Sequence, residues 1–192
     1  KLLKGFTENI AVVDPVCAAD DGKVVDGINV IGKKIEQINL TDLKPNVIVC
    51  RHTIEHIENP LNFISQLFDQ CQSDCIYIFE LPDFDCLLES LRLDAIFHQH
   101  LNYFNLDTVT NMIIDCGGKV IDHEYDHQGS CGGALYVAFQ LDNVGSKKKE
   151  IDLEKKTESI LKKIHTYENS ISAIADEIAV LPGPIYGYGA GL

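Results

Sequence analysis

Asn46-Val-Ile-Val-Cys50-Arg51-His52-Thr53-Ile54-Glu55-His56-Ile57-Glu58-Asn59-Pro60 is the stretch that decides how this chain folds. Its first half is a short apolar run, the pattern of a strand covered on both faces in a parallel sheet. Its second half turns polar, and apolar residues then recur at helical spacing as Leu61, Ile64, Leu67 and Phe68. Ile76-Tyr-Ile-Phe-Glu80 follows as the next strand, closed by Leu81-Pro82. Upstream, Asn9-Ile-Ala-Val-Val-Asp14 and Asn29-Val-Ile31 read as further short strands, the first expected to be buried. Strands alternating with helices predict an α/β protein with a doubly wound, mostly parallel sheet.

The pattern changes after Phe104. A helix is predicted over 105–116, with Leu106, Val109, Met112 and Ile113 on one side and Gly117-Gly118 stopping it. Residues 119–125 and the end of 130–139 read as strands paired in an antiparallel edge hairpin with a long loop. A linker over 145–150 leads to a long helix, 151–180, with Ile160, Ile164, Tyr167, Ile171, Ile174 and Ile178 on its apolar side. Leu181-Pro-Gly-Pro184 ends that helix. The expected organisation is therefore a core over 1–145, a helical connector over 146–182, and a new unit opening at 183–192.

Composition removes several function classes. Of the 192 residues 45% are apolar, which is ordinary for a globular domain, and the formal net charge is −13. Lys147-Lys-Lys149 is the one basic run, so neither nucleic acid nor an anionic membrane is expected as partner, since both need clustered cations. No apolar run is long enough to span a bilayer, and no signal peptide is visible. The seven cysteines are odd in number and without framework spacing, which predicts reduced thiols, a cytoplasmic location and no metal cage. Cys71 and Cys75 have no second pair to complete a zinc tetrahedron.

The stretch Arg92-Leu-Asp-Ala-Ile-Phe-His-Gln-His-Leu-Asn-Tyr-Phe104 mixes rings with polar groups, as the wall of a polar-substrate pocket requires. If extended, it would set His98 and His100 on one face. Three readings of those histidines compete: pocket wall, hydrogen-bonded core residues, or metal ligands together with His123 or His127. Asp14 stands where α/β sheets bind ligands, at the end of a strand, though such an acid also serves as a helix cap. Gly187-x-Gly189-x-Gly191 after a short apolar run would open a phosphate-cradling loop, so a dinucleotide-binding domain is the rival on that side.

These motifs, in this order, resemble a class I S-adenosylmethionine methyltransferase with a Rossmann-like fold: Val12-Val-Asp14-Pro15, the Glu55-His-Ile-Glu-Asn-Pro60 stretch, and Phe79-Glu-Leu-Pro82. Ile96-Phe-His-Gln-His-Leu-Asn-Tyr-Phe104 is similar to the I-Y-H-E-H-L-x-Y-F signature of nucleotide-sugar C-methyltransferases. Cys131-Gly-Gly-Ala-Leu-Tyr136 stands where those enzymes have H-G-G-S-L-R, and Tyr186-Gly-Tyr-Gly-Ala190 resembles the opening of their C-terminal nucleotide-binding-like domain.

The resemblance implies S-adenosylmethionine as cofactor, with Asp14 on its ribose and Arg51, His52 and His56 near its methionine end. It implies His100 as the general base, with His98 and Gln99 beside it. Glu80, Phe97, Tyr103, His127 and Gly132 would face a small sugar or nucleotide-sugar acceptor of carbohydrate biosynthesis. Departures fall at Phe97, Gln99, Cys131, Ala134 and Tyr136, so a non-catalytic relative is the alternative. The family's glycine-rich cofactor loop would precede Lys1, which predicts a longer product, and a homodimer is compatible.

Overall fold

The computed structural model describes residues 9–127, 133–142 and 144–186. Seven strands are present among them: β1 (Ala11–Val13), β2 (Val24–Val25), β3 (Ile28–Ile31), β4 (Val47–Arg51), β5 (Ile76–Pro82), β6 (Gly118–Asp126) and β7 (Ala134–Leu141). The helices are α1 (Pro60–Gln70), α2 (Phe84–Glu89), α3 (Leu106–Asp115) and α4 (Leu153–Ala179), with short 3-10 turns between. The strands form a three-stranded sheet in the order β1-β3-β2 and a four-stranded sheet in the order β4-β5-β7-β6. Parallel pairing joins β1 to β3 and β4 to β5. The expected α/β architecture, antiparallel hairpin and long helix are all there.

Local chemistry explains the boundaries around the site. Asn59 caps α1 by accepting from the Asn62 N–H at 3.0 Å, and Pro60 occupies the first turn, where its missing N–H costs nothing. The polar stretch after β4 therefore has to end in a helix, whose Phe63, Ile64, Leu67 and Phe68 turn inward. Asn105 and Thr108 form a reciprocal capping box at the start of α3. Gly117, at φ 84°, ends that helix in the left-handed region that glycine adopts freely.

The core lies between α1, α3 and the four-stranded sheet. Tyr77 of β5 and Phe139 of β7 face each other in register and stack, with ring centroids 5.2 Å apart. Phe79 meets Phe139 edge-on at 4.8 Å, and Phe68 of α1 meets Tyr77 edge-on at 5.2 Å. These rings close the sheet face on which α1 and α3 pack.

One expectation changes. The first strand was expected to be buried, yet Ala11 and Val12 are exposed and Val13 is half-buried. Its ladder partner is β3, in the small sheet, so its apolar residues do not enter the main core. In the hairpin, β7 rather than β6 lies against β5, which leaves β6 at the edge.

The long helix buries no residue completely. It is tied at its start by Lys156, which pairs with Asp85 of α2. The linker before it is tied by mutual bonds of 2.8 Å between Lys149 and Asn111. Farther along, Ile171, Ile174 and Ile178 are roughly half exposed. No helix among the described residues is long and apolar enough to cross a membrane. The glycines from Gly187 onward lie outside the described residues.

Candidate active site

Because β4 and β5 are parallel, their C-terminal ends open on the same side, where α/β sheets take ligands. Register puts Arg51 of β4 and Tyr136 of β7 on either side of Glu80 in β5. Arg51 grips the Glu80 carboxylate through Nε and Nη2, in the two-pronged geometry that favours arginine. His52 Nε2 stands 3.2 Å from Glu80 Oε1. Glu80 is only 5% exposed, and burial alone would raise its pKa. The bond from Arg51 outweighs that and holds the carboxyl below the usual glutamate range, helped by His52 and Tyr136. The tyrosine at 136, a departure from the resemblance, therefore has a local partner.

His52 is held in an uncommon backbone state, with φ 45°. For a residue with a Cβ this conformation costs on the order of 1 kcal/mol or more and needs support from its surroundings. The His52 N–H donates to the Glu80 carbonyl at 2.9 Å. Its Nδ1 lies 3.4 Å from Oε1 of Glu55. One imidazole thus sits between two buried carboxylates.

The loop after β4 meets the loop before α3 through four hydrogen bonds. The Leu101 and Asn102 N–H groups donate to the Glu55 carbonyl at 2.8 and 3.1 Å. Asn102 Nδ2 donates to the Ile57 carbonyl at 2.7 Å. His56 Nδ1 donates to the Gln99 carbonyl, also at 2.7 Å, which leaves Nε2 as its acceptor nitrogen. The two stretches singled out in the sequence become one wall.

At that junction stand Glu55, His56 and His100, whose ligand-type atoms all lie within 4.8 Å of one another. Glu55 is 2% exposed and His100 8%. The His56 and His100 rings are 5.0 Å apart, and Phe97 covers His100 at 4.2 Å. Burial pushes the His100 pKa down, against the pull of Glu55. Tyr103 packs on Phe84 at 5.4 Å and forms the far wall, 6.2 Å from His100.

Other expected site residues do not join this cluster. Residues 97–100 make a turn closed by the His100 N–H on the Phe97 carbonyl, instead of an extended run, so His98 and Gln99 are exposed at its tip while His100 turns inward. Gln99 contributes its carbonyl rather than its side chain. Asp14 accepts from the Val16 N–H at 2.8 Å and caps the turn Pro15–Asp20. His127 stacks on Tyr125 and lies 3.9 Å from the Cys86 sulfur, and His123 packs on Tyr125. Neither is grouped with His100. Gly132 lies outside the described residues.

Glu55 opens the motif over 55–60, but the sequence assigns it no role, because its burial depends on groups far along the chain. Cysteine chemistry is not favoured here: burial pushes the Cys50 and Cys75 thiols up to about 11 and raises Cys86 and Cys116 as well.

The Glu80 network gives a signed pH expectation. A carboxyl whose folded pKa is depressed stabilises the fold fully above the ordinary glutamate range and ceases to do so as pH falls through its folded value. Thermal melts should therefore place Glu80→Gln below the native chain at pH 7. The gap should shrink below about pH 4. A gap that is constant from neutral to acid pH would contradict the ion-paired role.

A protein-family model described as a methyltransferase domain matches residues 2–123. No curated protein sequence matches the chain. Among solved structures, the N-methyltransferase NodS from Bradyrhizobium japonicum WM9 in complex with S-adenosyl-l-homocysteine is similar in fold. It shares 12% identity, with 73% of this chain and 70% of that one covered, at a TM-score of 0.51. The 1,6-didemethyltoxoflavin-N1-methyltransferase of Burkholderia thailandensis, with bound 1,6-didemethyltoxoflavin and S-adenosylhomocysteine, shares 7% identity, with 70% of this chain and 62% of that one covered, at a TM-score of 0.51. At such identities the likeness is one of fold, whereas the family match spans well over half of the residues. The chain belongs to the methyltransferase domain family.

Proposed function

We propose that this methyltransferase uses S-adenosylmethionine to methylate a small sugar or nucleotide-sugar acceptor, and that loss of the acceptor's proton depends on His100. The observation that carries this reading is the docking of the two loops, which buries His100 against His56 and Glu55 beside the aromatic faces of Phe97 and Tyr103. Methyl transfer makes two demands. The acceptor atom must lie in line with the methyl carbon and the sulfur, which is a matter of positioning. It must also lose its proton, which needs a basic or charge-stabilising group within hydrogen-bond reach. When the new bond forms, the carbon–sulfur bond breaks with its electron pair going to sulfur, and a neutral thioether leaves.

Stacking faces next to a few placed polar groups suit a sugar, whose ring has an apolar C–H side and hydroxyls at its edge. In this reading Asp14 takes the cofactor ribose, with Arg51, His52 and His56 toward its methionine end. Glu80, Phe97 and Tyr103 face the acceptor, with His98 and Gln99 at the mouth. The rhizobial and Burkholderia structures with bound S-adenosylhomocysteine support the cofactor class.

Calorimetric titration of the full-length protein with S-adenosylhomocysteine tests the assignment. Micromolar binding is expected, weakened by Asp14→Ala about 10- to 100-fold, the worth of a hydrogen bond to a charged group. An intact protein that binds no S-adenosylhomocysteine would end the reading. Undiminished binding by the variant would move the ribose contact elsewhere.

A further inference from the structure

Both carboxylate oxygens of Glu55 are buried and neither has a hydrogen-bond partner among the described residues. An ionised carboxyl in that condition is costly, and native structures supply a counter-charge or a donor. His52 Nδ1 comes nearest, 3.4 Å from Glu55 Oε1, but that approach does not meet hydrogen-bond geometry. His56 Nε2 is 4.0 Å from Glu55 Oε1, whereas a proton shared between them would draw the atoms to about 2.8 Å. His56 is held in this orientation by its Nδ1 bond to the Gln99 carbonyl. His100 is likewise anchored, by a bond to the Ala95 carbonyl.

A histidine that donates one nitrogen to a backbone carbonyl and points the other at a carboxylate has the outer-shell arrangement of a metal ligand. We infer that Glu55, His56 and His100 form a binding site for a divalent transition-metal ion, with two imidazoles and one carboxylate as ligands. The chemistry suits zinc, manganese, cobalt or ferrous iron, which accept mixed imidazole and carboxylate donors, better than magnesium or calcium, which prefer oxygen alone.

The dimensions fit. Ligand atoms bound about 2.1 Å from a common ion lie roughly 3.0–3.5 Å apart. The present spacings of up to 4.8 Å close to that range with movements of about half an ångström to one ångström by each side chain. The His56 side chain is 39% exposed, so the ion can enter from solvent and keeps coordination positions on that side. Three protein ligands and an open position are the pattern of a catalytic rather than a structural metal. The cluster differs from the histidine pair that sequence alone offered. His98 and His123 are exposed, and His127 packs on Tyr125.

Binding of the ion rests on this geometry alone, whereas its role rests on the proposed function. At the acceptor end of the site, an open position would take an acceptor oxygen and favour its deprotonated form. His100 would then act by holding the cation rather than by carrying the proton itself.

Chelator-treated full-length protein titrated calorimetrically with Zn2+, Mn2+ and Co2+ tests the site. One equivalent of at least one of these ions should bind at micromolar affinity or tighter, with a visible ligand-field band for Co2+. Glu55→Gln keeps the side-chain shape and removes the charge. It should weaken binding about 10- to 100-fold or more, and His56→Ala should do the same, with thermal melts showing both variants folded. The absence of stoichiometric binding would overturn the inference. So would binding that survives both substitutions, since it would then lie on other surface histidines or thiols. The same samples titrated with S-adenosylhomocysteine separate the two ideas: cofactor binding without metal binding removes the cation and leaves the methyltransferase reading, and metal binding without cofactor binding does the reverse.

Discussion

His100→Ala is expected to lower the rate of methyl transfer from S-adenosylmethionine by about two to four orders of magnitude. Affinity for S-adenosylhomocysteine should stay within a few-fold of the native value. The split follows from position. His100 is buried in the loop before α3, against Phe97, His56 and Glu55, while Arg51 and His52 stand on the rim of β4 and β5. Removing its ring takes away the group on which the acceptor's proton loss depends and leaves that rim intact. Transfer of a labelled methyl group to a panel of nucleotide sugars measures the rate, and calorimetry measures the cofactor. Near-native turnover would remove His100 from the mechanism. A parallel loss of cofactor binding would make it a support of the fold or of the cofactor instead.

Phe139→Ala should reduce unfolding stability by about 3–5 kcal/mol. Phe139 is fully buried, and its ring touches Tyr77, Phe79 and Phe68 within centroid distances of 4.8 to 6.1 Å. The void left by the ring would lie between two strands and a helix that hold each other apart, so collapse can fill it only in part. For a chain of this size the loss corresponds to a fall in melting temperature of roughly 10 °C. Urea unfolding with an unchanged slope would confirm a native-state effect. A change below about 1 kcal/mol would show that the ring stack is not the centre of the core. The consequence reaches the site, because β7 carries both Phe139 and Tyr136, and Tyr136 flanks Glu80.

Local structure in this chain is legible from neighbouring residues. The cap at Asn59-Pro60, the inward face of α1, the capping box at Asn105 and the stop at Gly117 all follow from side chains within a few positions of each other. Alternation of His98 and His100 is equally compatible with an extended run and with a turn, so it leaves the conformation of residues 97–100 open. The turn is chosen by contacts to Glu55 and Ile57, more than forty positions away. The apolar run of the first strand has the pattern of a buried core strand, yet Ala11 and Val12 are exposed. Which sheet it joins is not written in the run itself.

The alternation of strands and helices, the antiparallel hairpin and the long final helix are legible from the residues alone. Periodicity and turn chemistry are properties of neighbouring residues, so they survive without coordinates. The burial of Glu55, whose carboxylate has no hydrogen-bond partner among the described residues and faces His56 and His100, comes from the folded arrangement, while Glu58, three residues later, is exposed. The physical reason is that burial and electrostatic environment are set by groups brought together across the fold. The sequence names those groups, but the distances between them come only from the packing of β4, β5 and the loops at their ends.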